Sequence, residues 1–495
     1  MQIQSSFRKT IRRTAWAAFL IFLPITSFPY FPPSIGGEAL VRPLSLYPLI
    51  ILVFIFTLPK LWTRPIPKAF IPLFLFALIA VISSVLSLLK GIEPALGVSV
   101  EIRVLRGLLT LAIGCAIYLT VALLPETIND LRFTLRWLYA GGILALFWGS
   151  LQAIYILYYK PAWFNFLASI QQHISIRQLR IDRVAGMTYE PHWFADQIIT
   201  LILPWVLASV LTGYTIFPWR WRRITIEWIL LVWSLLLLPF TFSRAGLLNM
   251  VLLVFLAVLL LRPKKKTGRL MTNQQPVNTN LKSKPIRRFL ESIFVLLIVI
   301  IPIYLIGARN MFFSRVWEYW QNPNATITGY MSYLGFDARL TYSQAAYNTF
   351  EEHPVLGVGL GNYAFYFEEM LPYRPIAEVP EALRMVTPEF GRDRLITSKN
   401  YYLRLLAETG ILGAITFITF FIAHLGYVLC MTFSENEEMK YWGIACSCGL
   451  IAFLLSAFSF DSFVIPNMWV IFGLIAASTR VLIVNQASLK NTIAI

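Results

Sequence analysis

Arg244 stands in TFSRAGLLNM, between two runs of apolar residues. A guanidinium is costly in hydrocarbon and persists there when it has a task or a route to water. It can hold an anion in a cavity, because its planar fork of N–H donors matches phosphate and carboxylate oxygens. It can equally snorkel to the headgroups at a helix end. A second set of cations follows, Arg309, Arg315, Arg339, Arg374, Arg384, Arg392, Arg394 and Lys399, mixed with acids such as Asp337, Glu351, Glu352 and Glu389. The four histidines, His173, His192, His353 and His424, have no metal-ligand spacing. The four cysteines, Cys115, Cys430, Cys446 and Cys448, fall in or at the ends of apolar runs, which argues against a disulfide framework or a zinc site. No metal and no cofactor is expected.

The elements that must position these residues are membrane helices. Of 495 residues, 57% are hydrophobic and 14% charged, against ~45–50% apolar in ordinary soluble domains. The apolar residues come in blocks near the ~20-residue length of a spanning helix, without the alternation of a barrel. About twelve spans are expected, roughly at 14–31, 44–59, 69–89, 106–124, 136–158, 193–212, 225–242, 245–261, 289–307, 408–430, 442–460 and 467–485. The first follows Arg8, Lys9, Arg12 and Arg13 and is followed by FPYFPP without a small-residue cleavage site, so it reads as a retained helix. Its basic flank puts the N-terminus in the cytoplasm. Counting onward puts KLWTRPIPK, FPWRWRR and RPKKKTGRL…KSKPIRR on the same side, as the positive-inside rule asks, and the C-terminus with them. Topology and attraction to anionic lipid explain much of the net charge of +17. Nucleic acid is not an expected partner, since no soluble module interleaves basic and aromatic residues. TGRLMTNQQPVNTNLKSK reads as a cytoplasmic linker.

Two long segments then lie outside, 159–192 and 308–407. The chain divides into helices one to nine (1–307), a large extracytoplasmic loop (308–407) and helices ten to twelve (408–495). Within the loop, ARLTYSQAAYNTFEEHP has helical periodicity and stops at a proline, and GVGLGN is a glycine-rich turn before an aromatic-rich helical run. Arg244 falls at the outer face, beneath this loop.

Four stretches together resemble the O-antigen ligase and polymerase family of bacterial envelope glycosyltransferases. FSRAG is similar to its Ser-Arg-x-Gly signature and NTFEEHPVLGVGLGNYAFYF to its His-Pro, two aliphatics, Gly-x-Gly block. KNYYLRLLAETGILG is similar to its His-Asn, nine residues, Gly motif, and RVAGMTYEPHWFA resembles its Arg-x-x-Gly segment. The strongest part runs from about Arg183 to Gly413.

The resemblance implies an all-α, GT-C-like polytopic enzyme of the bacterial inner membrane. It would pass a glycan from a polyprenyl-diphosphate carrier to a glycan or lipid-glycan acceptor on the outer face, without metal. The leaving diphosphate gathers negative charge that fixed cations must meet. Arg183 and Arg244 are the expected clamps, with Arg339 joining from the loop. The acceptor hydroxyl needs a base. Here the chain departs from the family: Lys399 stands where the motif has histidine, before the expected Asn400 and Gly410. Either Lys399 is a deprotonated base, or it is a third cation and the base is Glu190. His353 is a further catalytic candidate, although EHPVLG also reads as a helix stop before a turn. Asn400 and Tyr401 are expected to contact sugar, and Tyr402, Tyr363 and Tyr366 are candidates for stacking. Two other classes compete. One is an anion or inorganic-carbon transporter, which normally carries paired repeats that this chain lacks. The other is a non-catalytic partner in an envelope polysaccharide complex, which the missing motif histidine favours.

Overall fold

Apolar segments become helices in a bilayer because hydrocarbon gives their backbone groups no partner outside the segment itself. The computed structural model describes residues 2–32, 39–222, 224–259, 311–372, 379–387 and 395–493. In chain order the helices are α1 (Gln2–Phe22), α2 (Leu46–Thr63), α3 (Phe70–Leu88), α4 (Val100–Leu123), α5 (Ile128–Leu157), α6 (Pro161–Ile174), α7 (Pro191–Thr212), α8 (Ile226–Thr241) and α9 (Arg244–Leu259). Beyond them come α10 (Met311–Glu318), α11 (Ile327–Tyr333), α12 (Phe336–Glu352), α13 (Pro380–Val386), α14 (Tyr401–Thr432), α15 (Glu437–Ser456) and α16 (Pro466–Ile493). The strands among the described residues are a two-residue antiparallel pair, Arg220–Trp221 against Ile224–Thr225.

Eight helices among the described residues are long and apolar enough to cross a membrane: α2, α3, α4, α5, α7, α14, α15 and the apolar part of α16. The expectation of a multi-pass helical membrane protein stands, and several details change. The span expected at 14–31 is helical only to Phe22 and runs back to Gln2 through its basic residues; Pro24, with no N–H to give, follows its end. The spans expected at 225–242 and 245–261 are the shorter apolar helices α8 and α9. α8 ends where Phe242 turns left-handed, at φ 46°, and Ser243 follows at once; α9 is described as far as Leu259. The helix expected from 408 begins already at Tyr401. The expected ninth span (289–307), the linker before it, Arg309, Arg374, Arg392, Arg394 and Glu389 lie outside the described residues.

α7, α15 and α16 are the most enclosed spans, whereas α2, α3 and α14 turn most of their surface outward. Trp205, Trp442 and Trp469 are fully buried among the central helices. At one end of the bundle Lys60 pairs with Glu126 at 2.5 Å and Arg132 with Glu438 at 2.9 Å, and Arg480 caps the carbonyls of Ala122 and Pro125. The opposite end collects the first turns of α4, α7, α9, α14 and α16, the last turns of α3 and α15, and the segments 175–190, 311–372, 379–387 and 395–400.

Candidate functional site

Segment 175–190 crosses that second end and is held from below by α5. The Gln152 amide donates to the Gly186 carbonyl at 2.8 Å and accepts from the N–H groups of Ala185 and Gly186 at 3.0 and 2.9 Å. The pinned segment displays charge. Arg177 meets Glu190 at 3.2 Å and lies 5.0 Å over the Tyr189 ring. Arg180 grips Asp182 with two hydrogen bonds of 3.0 and 3.1 Å, and Arg183 is 3.6 Å from the same carboxylate. Burial, then the charge of Arg180, pulls the Arg183 pKa below its ordinary value, and Arg244 adds to the pull. Arg183 and Arg244 are thus two cations within electrostatic reach of each other near the start of α7. Glu190 sits at the N-cap of α7, followed by Pro191 at a position where no N–H is needed.

Arg244 opens α9. A Cβ on Gly246 would lie 2.6 Å from that of Ala195, so the first turns of α9 and α7 touch. The guanidinium reaches into the large loop, where Nη1 donates to the Leu334 carbonyl at 2.6 Å, and its electrostatic neighbours are Arg315, Tyr330 and Tyr333. Of the two readings of this residue, the one that turns it toward the loop is what its contacts describe.

Lys399 and Arg339 come from the other side. The Lys399 ammonium is 2.6 Å from Glu381 and 4.4 Å from the centre of the Tyr342 ring. Its backbone is left-handed, at φ 53°, and its N–H donates to the Asp461 carboxylate at 2.8 Å. Burial alone would raise the Glu381 carboxyl; Lys399, Tyr342 and Arg339 outweigh it and hold the group below the ordinary carboxylate range. Asn400 is committed to the helix start, accepting from the N–H groups of Tyr402 and Leu403 at 3.0 and 3.2 Å. Tyr401 points inward among Phe417, Phe453 and Phe463. With Asp196 and Asn467 it lines a small cavity of about 40 Å³ between the helix ends.

The structure brings Arg183, Arg339 and Lys399 together around a residue given no role from sequence. His192, half-buried in the first turn of α7, interacts electrostatically with all three. Its ring packs against Phe460, at 5.4 Å, and Trp193. The available signal was its place, two residues after Glu190 and nine after Arg183. His353 is not part of this group. It ends α12 beside Tyr366, and its charged neighbours are Lys90, Glu352 and Glu369; burial, then Lys90, lowers its pKa. Tyr363 is also occupied elsewhere, its hydroxyl donating to the Tyr342 carbonyl at 2.9 Å.

The glycine-rich turn has a mechanical task. α14 is broken at Gly410 (φ 62°, ψ −166°), and residues 354–359 enter the break. Val358 and Gly359 donate to the carbonyls of Ala407 and Glu408 at 2.9 and 3.0 Å, and Ile411 and Leu412 donate to those of Pro354 and Val355 at 2.8 and 3.3 Å. A Cβ on Gly410 would stand 2.3 Å from the Val355 carbonyl. Serines of α3 secure the turn from beneath: Ser83 donates to the Leu356 and Glu408 carbonyls, Ser84 accepts from Leu360 N–H at 2.9 Å, and Ser87 accepts from the Asn362 amide at 2.7 Å. Arg404, buried one turn before Glu408 and 2.9 Å from it, ties the same stretch to the Asp461 carbonyl.

The family model described as O-antigen ligase matches residues 229–418. The match begins in α8, takes in Arg244, the large loop, Lys399 and Asn400, and ends within α14. It bears out the resemblance drawn from the motifs. Arg183 and His192 precede it. No curated protein matches the chain.

Proposed function

We propose that this multi-pass membrane protein, with its O-antigen ligase segment, transfers a glycan from a polyprenyl-diphosphate carrier to a hydroxyl of an acceptor sugar. The reaction takes place at the bundle end where Arg183, Arg339 and Lys399 converge within electrostatic reach of His192, and Arg244 within that of Arg183. That convergence is the observation that carries the reading. A glycosyl diphosphate leaves with its negative charge on phosphate oxygens, and guanidinium forks fixed before the reaction lower the barrier without reorganising. Arg183 and Arg244 form one arm of the clamp, and Arg339 and Lys399 the other. The short ion pair of Lys399 with Glu381 favours a lysine that stays charged, a third cation for the diphosphate.

The opposite end of the bundle carries Arg12, Lys60, Arg64, Arg132, Arg136, Arg220, Arg222 and Arg480. By the positive-inside rule it is the cytoplasmic end, which puts the site on the outer face of the bacterial cytoplasmic membrane and both termini inside. The GT-C-like architecture and the loop lying between two groups of helices belong to the same proposal. The decisive experiment is reconstitution in nanodiscs with a polyprenyl-diphosphate-linked oligosaccharide and a glycan acceptor. Mass spectrometry is expected to find extended acceptor and released polyprenyl diphosphate. No transfer with any donor, and restoration only by a second envelope protein, would make this chain the non-catalytic partner instead.

A further inference from the structure

We infer that His192 is the base that takes the proton of the acceptor hydroxyl, an assignment that rests on the transfer reading above. The family-like motif leaves this chemistry open, because Lys399 stands where its histidine would be. The other candidates are engaged. The Lys399 side chain is engaged by Glu381 at 2.6 Å. The Glu190 carboxylate is engaged by the Arg177 guanidinium at 3.2 Å. His353 lies by Lys90 and Tyr366, away from the clamp.

His192 has the position and the freedom. Phe460 and Trp193 hold its ring by contact, and among the described residues no hydrogen bond occupies its nitrogens. The charged groups around it are Arg183 from the segment before α7, Arg339 from α12 and Lys399 from the segment before α14. On its own helix, Glu190 precedes it and Asp196 lies one turn on, buried, with one oxygen taking the Asn467 amide at 2.7 Å. The imidazole stands among these three cations with a ring nitrogen to offer the acceptor hydroxyl. In the reaction the acceptor oxygen bonds to the anomeric carbon. The bond from that carbon to phosphate breaks with its electron pair staying on the lipid diphosphate, and the hydroxyl proton passes to a ring nitrogen. The imidazolium forms as negative charge grows on the diphosphate held by the same three cations. The cost of charging the ring is offset in the step that requires it, and water later carries the proton away.

His192→Gln keeps a polar side chain of similar reach but cannot take a proton from the hydroxyl. In the nanodisc assay it is expected to lower transfer by ~10² to 10⁴-fold, while photo-crosslinking to the polyprenyl-diphosphate oligosaccharide stays within a few-fold of wild type. Imidazole added to His192→Ala is expected to restore part of the rate, which a purely structural histidine would not permit. Transfer by His192→Gln at the wild-type rate overturns the base assignment and leaves the transferase reading standing. Parallel loss of crosslinking and transfer overturns it in favour of a donor-binding role. A wild-type protein that transfers nothing from any lipid-linked donor overturns both.

Discussion

The seam at Gly410 and the cationic cluster at the start of α7 are neighbours in the fold built on opposite terms. In the seam, the backbone groups of two distant stretches find each other, glycines let the chains touch, and hydroxyls of α3 close the gaps. At the cluster, Arg183 is set against Arg180 and Arg244 while Lys399 is held in a left-handed backbone by Asp461. Two motif-like stretches, the Gly-x-Gly turn and the residues after Lys399, belong mostly to the seam, although as sequence they look like chemistry. The lesson is that a motif of this kind can describe a joint between distant stretches of chain, while the groups proposed to react come from elsewhere.

The sharpest way to break this contrast is Gly410→Ala. The methyl group would enter the Val355 carbonyl at a backbone angle that suits glycine, and a cost of about 2–5 kcal/mol is expected from strain and overpacking. Thermal unfolding in detergent should show a lowered midpoint and poor recovery of folded protein. An unchanged midpoint would mean that the seam is not a scaffold.

Arg244→Lys should do the reverse. It keeps the charge and loses the fork, so transfer is expected to fall ~10² to 10³-fold with little change in the unfolding midpoint. If activity survives, Arg244 returns to a lipid-facing role; if stability collapses, the two regions are less separate than drawn here.

The smallest effects belong to Lys399, where the two regions meet. As a charged clamp, it should tolerate replacement by arginine. Lys399→His should be poor near neutral pH and recover as pH falls below ~6.5, where imidazole gains its proton. The Glu381 partner adds a separate acid limb. Its folded pKa is depressed, so the pairing contributes fully above the ordinary carboxylate value and is lost only as pH falls through the lowered one. Hydrogen exchange in α13 is the measurement: protection should persist through the ordinary carboxylate range and disappear below it. Loss of protection at higher pH would mean that Glu381 is not held by Lys399.

Hydropathy made most spans legible, because a block such as Phe70–Leu88 has one stable fate in a bilayer. It overreached at 14–31, where apolar composition continues but Pro24 resets the chain. Arg244 was legible as a lone charge with a need for an explanation, and the α12 helix was legible from periodicity. His192 was not. A histidine beside a tryptophan carries no pattern, and what marks it is three cations from segments far apart in the chain, which only packing brings together. Asn400 shows the opposite case: it sits in a motif-like position, and its side-chain oxygen caps α14.

The serines of α3 lie 273 to 276 residues before the turn they secure. A ribosome feeding this chain into the bilayer delivers α3 long before its partner exists, and Ser87 meanwhile can satisfy itself on the Ser84 carbonyl, as it does in the finished protein at 2.7 Å. Closing so long a loop is a late and slow event in assembly. A nascent chain stopped before residue 354 should therefore be inserted and yet hold no reaction centre, and the membrane is protected from a half-made enzyme by the order in which its parts are born.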